Sequence, residues 1–215
     1  AETLAHKLIG LKPKAAVAHL TLAVIDIKQG RYGQADKRLK EMPSKGLIGF
    51  VAPVLRAWSL TGQKKNREAI KILKAPTKQK ATRILHTMHS ALISEFQGRN
   101  EEAEKFYLKV QGDQTELSLR VVQLLGALYE RIGKKDKART LYEKYLLEHP
   151  DSQLLDGPLK RLKAGGGPTL KTFSVAEGAA EVLFGIASSL RQQNAQETAL
   201  MLGRLALYLK PHYPV

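Results

Sequence analysis

Two histidines, His86 and His89, stand three residues apart, a spacing that puts both on one face of a helix and with which a metal site can begin. A zinc centre needs three or four protein ligands, and no further histidine or suitably spaced acid follows on that stretch, so packing or surface roles account for the pair. The absence of cysteine removes disulfides, thiolate metal sites and thiol nucleophiles together. Glu101, Glu102 and Glu104 gather where acids favour the start of a helix. The run Gly165-Gly166-Gly167 lacks the lysine and hydroxyl residue that complete a phosphate loop. Neither a serine elbow, an HExxH run nor a dinucleotide fingerprint is present. These residues point to no enzyme activity, no cofactor and no metal.

Charge offers a second kind of chemistry. The 215 residues include 35 Lys+Arg against 20 Asp+Glu, a net +15, with 43% hydrophobic residues, a balance that suits a folded chain. The apolar stretch Gly46 to Leu55 is about half of the roughly 20 residues a membrane-spanning helix needs. The N-terminus shows no basic segment followed by an apolar one, so no secretory signal is visible. By successive fifties the net charge runs +5, +8 and 0, then +2 for 151–215. It peaks where Lys64, Lys65, Arg67, Lys71, Lys74, Lys78, Lys80 and Arg83 face a single acid, Glu68. That stretch reads either as a solvated helix face or as a binder of anionic surfaces or nucleic acid. No aromatics interleave with the lysines, which counts against stacking on single strands.

The elements that position these residues follow from a repeat. Alanines recur at Ala1, Ala35, Ala69, Ala103 and Ala138, at spacings of 34, 34, 34 and 35, and again at Ala199. Twelve residues before the last five stand Ala23, Ala57, Ala91, Gly126 and Ala187. Between the two small residues comes Gly30, Gly98, Gly133 or Asn194, with Gly62 two places early in the second unit. Glycine or asparagine supplies the left-handed residue that ends a helix and opens a tight turn. The flanking small residues let two antiparallel helices approach closely, and Pro13, Pro150 and Pro211 stop the second helix. Apolar residues at i, i+3 and i+4, such as Leu141, Tyr142, Tyr145 and Leu146, complete the amphipathic pattern.

These positions resemble the tetratricopeptide repeat family, most closely over the segment LLGALYERIGKKDKARTLYEKYLLEHP, where Leu125, Gly126, Tyr129, Ala138, Tyr142 and Pro150 match its marks. Arg56 and Ser90 depart where leucine is usual, and Asp26 and Ser94 where tyrosine is. The resemblance implies an all-α, right-handed superhelix of about 11–12 antiparallel helices acting as a non-enzymatic scaffold for a protein or peptide partner. It extends in general terms to bacterial repeat proteins of the cell envelope; envelope, periplasm and cytoplasm all fit. The expected units are a second helix over 1–14, repeats over 15–48, 49–82, 83–117 and 118–151, a short helix with a glycine-rich link over 152–178, and a repeat over 179–215. Ala1 sits at a second-helix position, as in a run cut from a longer array, so apolar exposure at both ends and self-association are expected. The link Ala164–Thr169 is expected to act as a hinge or to lie back in the groove.

In this family the first helix of each pair lines a concave groove. Carried onto this chain, the groove positions are Val17, Leu20, Val24 and Ile27, then Val51, Val54 and Trp58, then Leu85, Met88 and Leu92. They turn polar at Arg120, Gln123, Glu130 and Arg131, and continue through Glu181, Phe184 and Arg191. The lysine and asparagine of a terminal-carboxylate clamp are missing. The apolar stripe either receives the apolar face of an amphipathic partner helix or is buried by other parts of the chain.

Overall fold

A left-handed residue closes the turn inside each of five helix pairs, at Gly30 (φ 75°), Lys64 (62°), Gly98 (72°), Gly133 (78°) and Asn194 (61°). After each, the next residue donates its N–H to the carbonyl five positions back: Arg31 to Asp26 at 2.8 Å, Lys65 to Leu60 at 2.9 Å, Arg99 to Ser94 at 2.8 Å, Lys134 to Tyr129 at 2.8 Å, and Ala195 to Leu190 at 3.0 Å. This ties off the orphan carbonyls of one helix and aims the chain into the next. In the second unit Lys64, rather than Gly62, is the left-handed residue. Gly62 does other work: a Cβ there would stand 2.5 Å from the Tyr32 ring.

The computed structural model describes residues 2–43, 45–114, 116–167 and 174–212. Ala1, Pro168, Thr169 and the last three residues lie outside them. Twelve helices span the described residues: α1 Glu2–Leu11, α2 Ala16–Lys28, α3 Tyr32–Lys40, α4 Gly46–Gly62, α5 Asn66–Leu73, α6 Lys80–Phe96, α7 Asn100–Asp113, α8 Leu119–Arg131, α9 Lys135–Glu148, α10 Asp156–Lys163, α11 Val175–Gln192 and α12 Gln196–Leu209. The architecture is an all-α helical repeat, and no helix is long and apolar enough to cross a membrane. The small residues of the repeat, Ala23, Ala35, Ala57, Ala69, Ala91, Ala103, Gly126, Ala138, Ala187 and Ala199, are all buried.

The helices fall into two units, Ala1–His89 with Phe173–Val215, and Ser90–Thr172. In the first, α1 to α5 pack in succession, and the α11–α12 hairpin returns to lie on them, α11 against α4 and α2, α12 against α2. A capping box starts α11: Ser174 accepts from the Glu177 N–H at 3.0 Å, and the Glu177 carboxylate accepts from the Ser174 N–H at 2.9 Å. At the other end of the hairpin, Lys28 Nζ donates to the Leu209 carbonyl at 2.8 Å, a cation on the negative end of α12. Lys210 reaches Glu177 at 3.4 Å.

The second unit is held by two matching staples. Glu95 accepts the Tyr107 hydroxyl at 2.9 Å and pairs with Arg131. One repeat later Glu130 accepts the Tyr142 hydroxyl at 2.7 Å, and Arg161, which is not at the repeat-equivalent position of Arg131, donates to it at 3.1 Å. Each arginine comes from the next stacked helix, so α10 takes the place of a following first helix. The glycine run begins as its cap: Gly165 is left-handed (φ 72°), the Gly166 N–H returns to Arg161 at 3.0 Å, and Lys135 Nζ holds the Gly165 carbonyl at 2.6 Å. Residues 164–166 of the expected link are thus tied to α9 and α10.

Candidate interaction surface

The part of the expected groove on α2 and α4 is covered. Leu20, Val24, Val51, Val54 and Trp58 are fully enclosed, and Ile27 is 1% exposed, because α11 packs on the faces of α2 and α4 that carry them. Trp58 lies under Gly178, where a Cβ would come within 2.3 Å of the indole, so only glycine lets α11 approach this closely. This corrects the open-groove reading: the apolar stripe has found its cover within the chain. Val17 remains exposed, Leu85 and Met88 are half-buried, and Leu92 is buried. Of the polar continuation, Arg120 and Gln123 are half-buried, Phe184 is half-buried and Arg191 is exposed. Glu130 and Arg131 belong to the staples, and Glu181 is buried.

The histidines meet this same core. Trp58 Nε1 donates to His89 Nδ1 at 3.1 Å, and the rings stand edge to face with centroids 6.3 Å apart. Burial pushes the His89 pKa down to about 4, with the nearby Glu181 charge opposing the shift and His86 adding to it. Burial lowers His86 as well. Among the described residues no group of three potential ligands gathers around a metal position. Neutral His89 is the form the fold accepts, so its contribution is fully present above pH 6.5 and is lost as pH falls towards about 4. Going from pH 7 to about pH 5 should cost about 2 kcal/mol from this residue. Denaturation curves at the two pH values check it, with His89→Gln, which keeps an acceptor for Trp58, removing that share of the pH dependence.

The apolar surface left open is elsewhere in the same unit. A cleft of about 600 Å³ is lined by Glu2 of α1, Thr21 and Ile25 of α2, and Glu197, Leu200, Met201, Arg204, Leu205 and Tyr208 of α12. Leu200 is 58% exposed, and on the same two outer helices Leu4, Leu8, Leu11, Leu207 and Tyr208 are exposed too. These residues carried no signal in the family's groove positions. The readable trace was the spacing Glu197, Leu200, Met201, Arg204, Leu205, Tyr208, which marks one continuous stripe along α12.

The basic stretch is also at the surface. Lys64, Lys65, Arg67, Lys71, Lys74, Lys78 and Lys80 are exposed and Arg83 is half-buried. Elsewhere the acids are largely committed: Asp26 pairs with Arg31 at 2.6 Å and Arg38 at 3.4 Å, Asp36 with Arg56 at 2.9 Å, and Glu104 with Lys134 at 2.5 Å and Lys137 at 3.1 Å. The Asp26 and Arg56 departures from the repeat pattern thus serve ion pairs.

No curated protein matches the chain. Residues 123–152, spanning most of α8 and all of α9, match the family model for the tetratricopeptide repeat. Gly126 lies there against Tyr142, where a Cβ would come within 2.2 Å of the ring, and Gly133 supplies the left-handed turn. With that match, residues 123–152 form a tetratricopeptide repeat within an all-α helical-repeat chain.

Proposed function

We propose that the protein is a non-enzymatic scaffold that receives an amphipathic helix of a protein partner in the cleft between α2 and α12. Tetratricopeptide repeats generally mediate protein–protein interaction and scaffolding, which supports the general reading. The observation that carries the specific one is the open apolar stripe of Leu200, Met201, Leu205 and Tyr208 facing Ile25. From Glu197 to Tyr208 this stripe runs about 17 Å, the length of a three-turn helix laid alongside. Met201 adapts its shape to the apolar side chains it meets. The rim carries Glu197, Arg204 and Glu2, the last 3.8 Å from Arg31, so lysine flanking the partner's apolar face has Glu197 to meet.

The test is calorimetric titration of the full chain with a designed leucine-faced, lysine-flanked amphipathic helix. The double variant Leu200→Asp, Tyr208→Asp should weaken binding by at least about tenfold, the loss of roughly 1.4 kcal/mol of apolar contact. Leu147→Asp, at an isolated exposed leucine on α9, should leave it unchanged. Equal binding by wild type and the double variant would remove the cleft from consideration.

A further inference from the structure

The turn between α4 and α5 breaks the pattern of its siblings in two ways. Its left-handed residue is Lys64, where the equivalent positions hold Gly30, Gly98 and Gly133. That conformation disfavours any residue with a Cβ, so a lysine stands where the fold prefers glycine. The next residue is a cation in four of the five turns, Ala195 being the exception. Arg31 pairs with Asp26 at 2.6 Å, Arg99 with Glu102 at 2.6 Å and Lys134 with Glu104 at 2.5 Å. At Lys65 the position corresponding to Asp26 is Leu60, and the acid corresponding to Glu104, Asp36, is paired with Arg56 at 2.9 Å. Of these four cations Lys65 alone forms no ion pair among the described residues.

We propose that Lys64, Lys65, Arg67, Lys71, Lys78 and Lys80 form a docking face for an acidic protein segment. None of these six forms an ion pair among the described residues, and Glu68 is the one acid within the stretch. Arg67 and Lys71 share the solvent face of α5, Lys64 and Lys65 stand before its start, and Lys78 and Lys80 follow its end. The run therefore extends past both ends of the helix and suits an extended or helical segment with several carboxylates. Five of the six are lysines, flexible point charges that can each meet a separate carboxylate of an acidic segment. No aromatic residue is present in the stretch to stack on bases or to anchor in a bilayer interface. Exposed Ala75 and Pro76 and half-buried Ile72 give apolar side chains of a peptide something to touch. The face uses none of the residues of the α2–α12 cleft, so either surface can fail without the other.

Fluorescence anisotropy of a labelled oligoglutamate peptide with the full chain tests this. Binding is expected at about 50 mM salt, weakening at least tenfold by about 200 mM, as screening dictates. The variant Lys65→Gln, Lys71→Gln, Lys78→Gln should weaken it by at least about tenfold with an unchanged thermal melt. Lys64→Gly separates stability from binding: its melting midpoint should rise while its peptide affinity falls. Absence of binding at about 50 mM salt would overturn the proposal. So would wild-type affinity in the triple variant, or tighter binding to duplex DNA or phosphatidylserine vesicles than to the peptide.

Discussion

Gly178→Val is expected to lift the α11–α12 hairpin off the first repeats and to destabilise the protein by about 3 kcal/mol or more. A Cβ at this position already comes within 2.3 Å of the Trp58 ring, and valine adds two methyl groups beyond it. The indole has no room to retreat, being fully buried and held to His89 by its N–H at 3.1 Å. Intrinsic propensity opposes the effect, since valine in a helix interior is more favourable than glycine by a few tenths of a kcal/mol. A net loss therefore measures the packing conflict rather than helix formation. Because Trp58 is the sole tryptophan, its emission should move to the red as the equilibrium melt shifts to lower denaturant. An unchanged midpoint and an unchanged emission would show that α11 does not lie on α4 through this glycine.

Arg161→Ala is the second large effect, expected to cost about 3 kcal/mol within Ser90–Thr172. The Glu130 side chain has no solvent exposure, and its charge is met by Arg161 at 3.1 Å and by the Tyr142 hydroxyl at 2.7 Å. Removing the guanidinium leaves a carboxylate buried with one neutral donor, the costly way to break such a pair. Arg161 is itself 39% exposed, and water entering at its site holds the loss near the lower end of the range for buried pairs. Adding Glu130→Gln should recover part of the loss, since the amide oxygen still accepts from Tyr142 and no charge remains. Hydrogen exchange across α8 to α10 reads both changes; unaltered protection in Arg161→Ala would remove the staple from the account.

The periodic features were legible because they are local. Small residues twelve apart around a left-handed turn state the helix pairs directly, and the buried set from Ala23 to Ala199 follows from them. Glu95 with Tyr107 and Glu130 with Tyr142 repeat at the same interval, a signal available in the sequence but without meaning until Arg131 and Arg161 are placed beside them. What the period could not show is the return of α11 and α12 to α2 and α4, a contact between segments more than a hundred residues apart. A regular repeat treats every first helix as groove lining, whereas Trp58 and its neighbours became core once another helix arrived. Two local traces of that return were present. The Ser174 and Glu177 capping box fixed where α11 begins, and Gly178, in the interior of a helix otherwise well supplied with alanine, marked a close approach.

With the α2 and α4 faces covered, the proposed interaction surface lies on α12. In a helical repeat the first-helix faces become available to a partner only where the chain leaves them open, and here α11 covers those of α2 and α4. The outward side of α12 then carries the open apolar stripe, with Ile25 of α2 as its opposite wall. Both the scaffold reading and the stability of the first unit consequently depend on one hairpin being docked.

Acrylamide quenching of Trp58 in the native chain at pH 7 tests that docking most directly. The enclosed indole under Gly178 should be almost unquenchable and should emit at the blue end of the tryptophan range. Ready quenching of Trp58 in the folded protein would contradict the covered groove and return the stripe from Leu20 to Trp58 to the solvent.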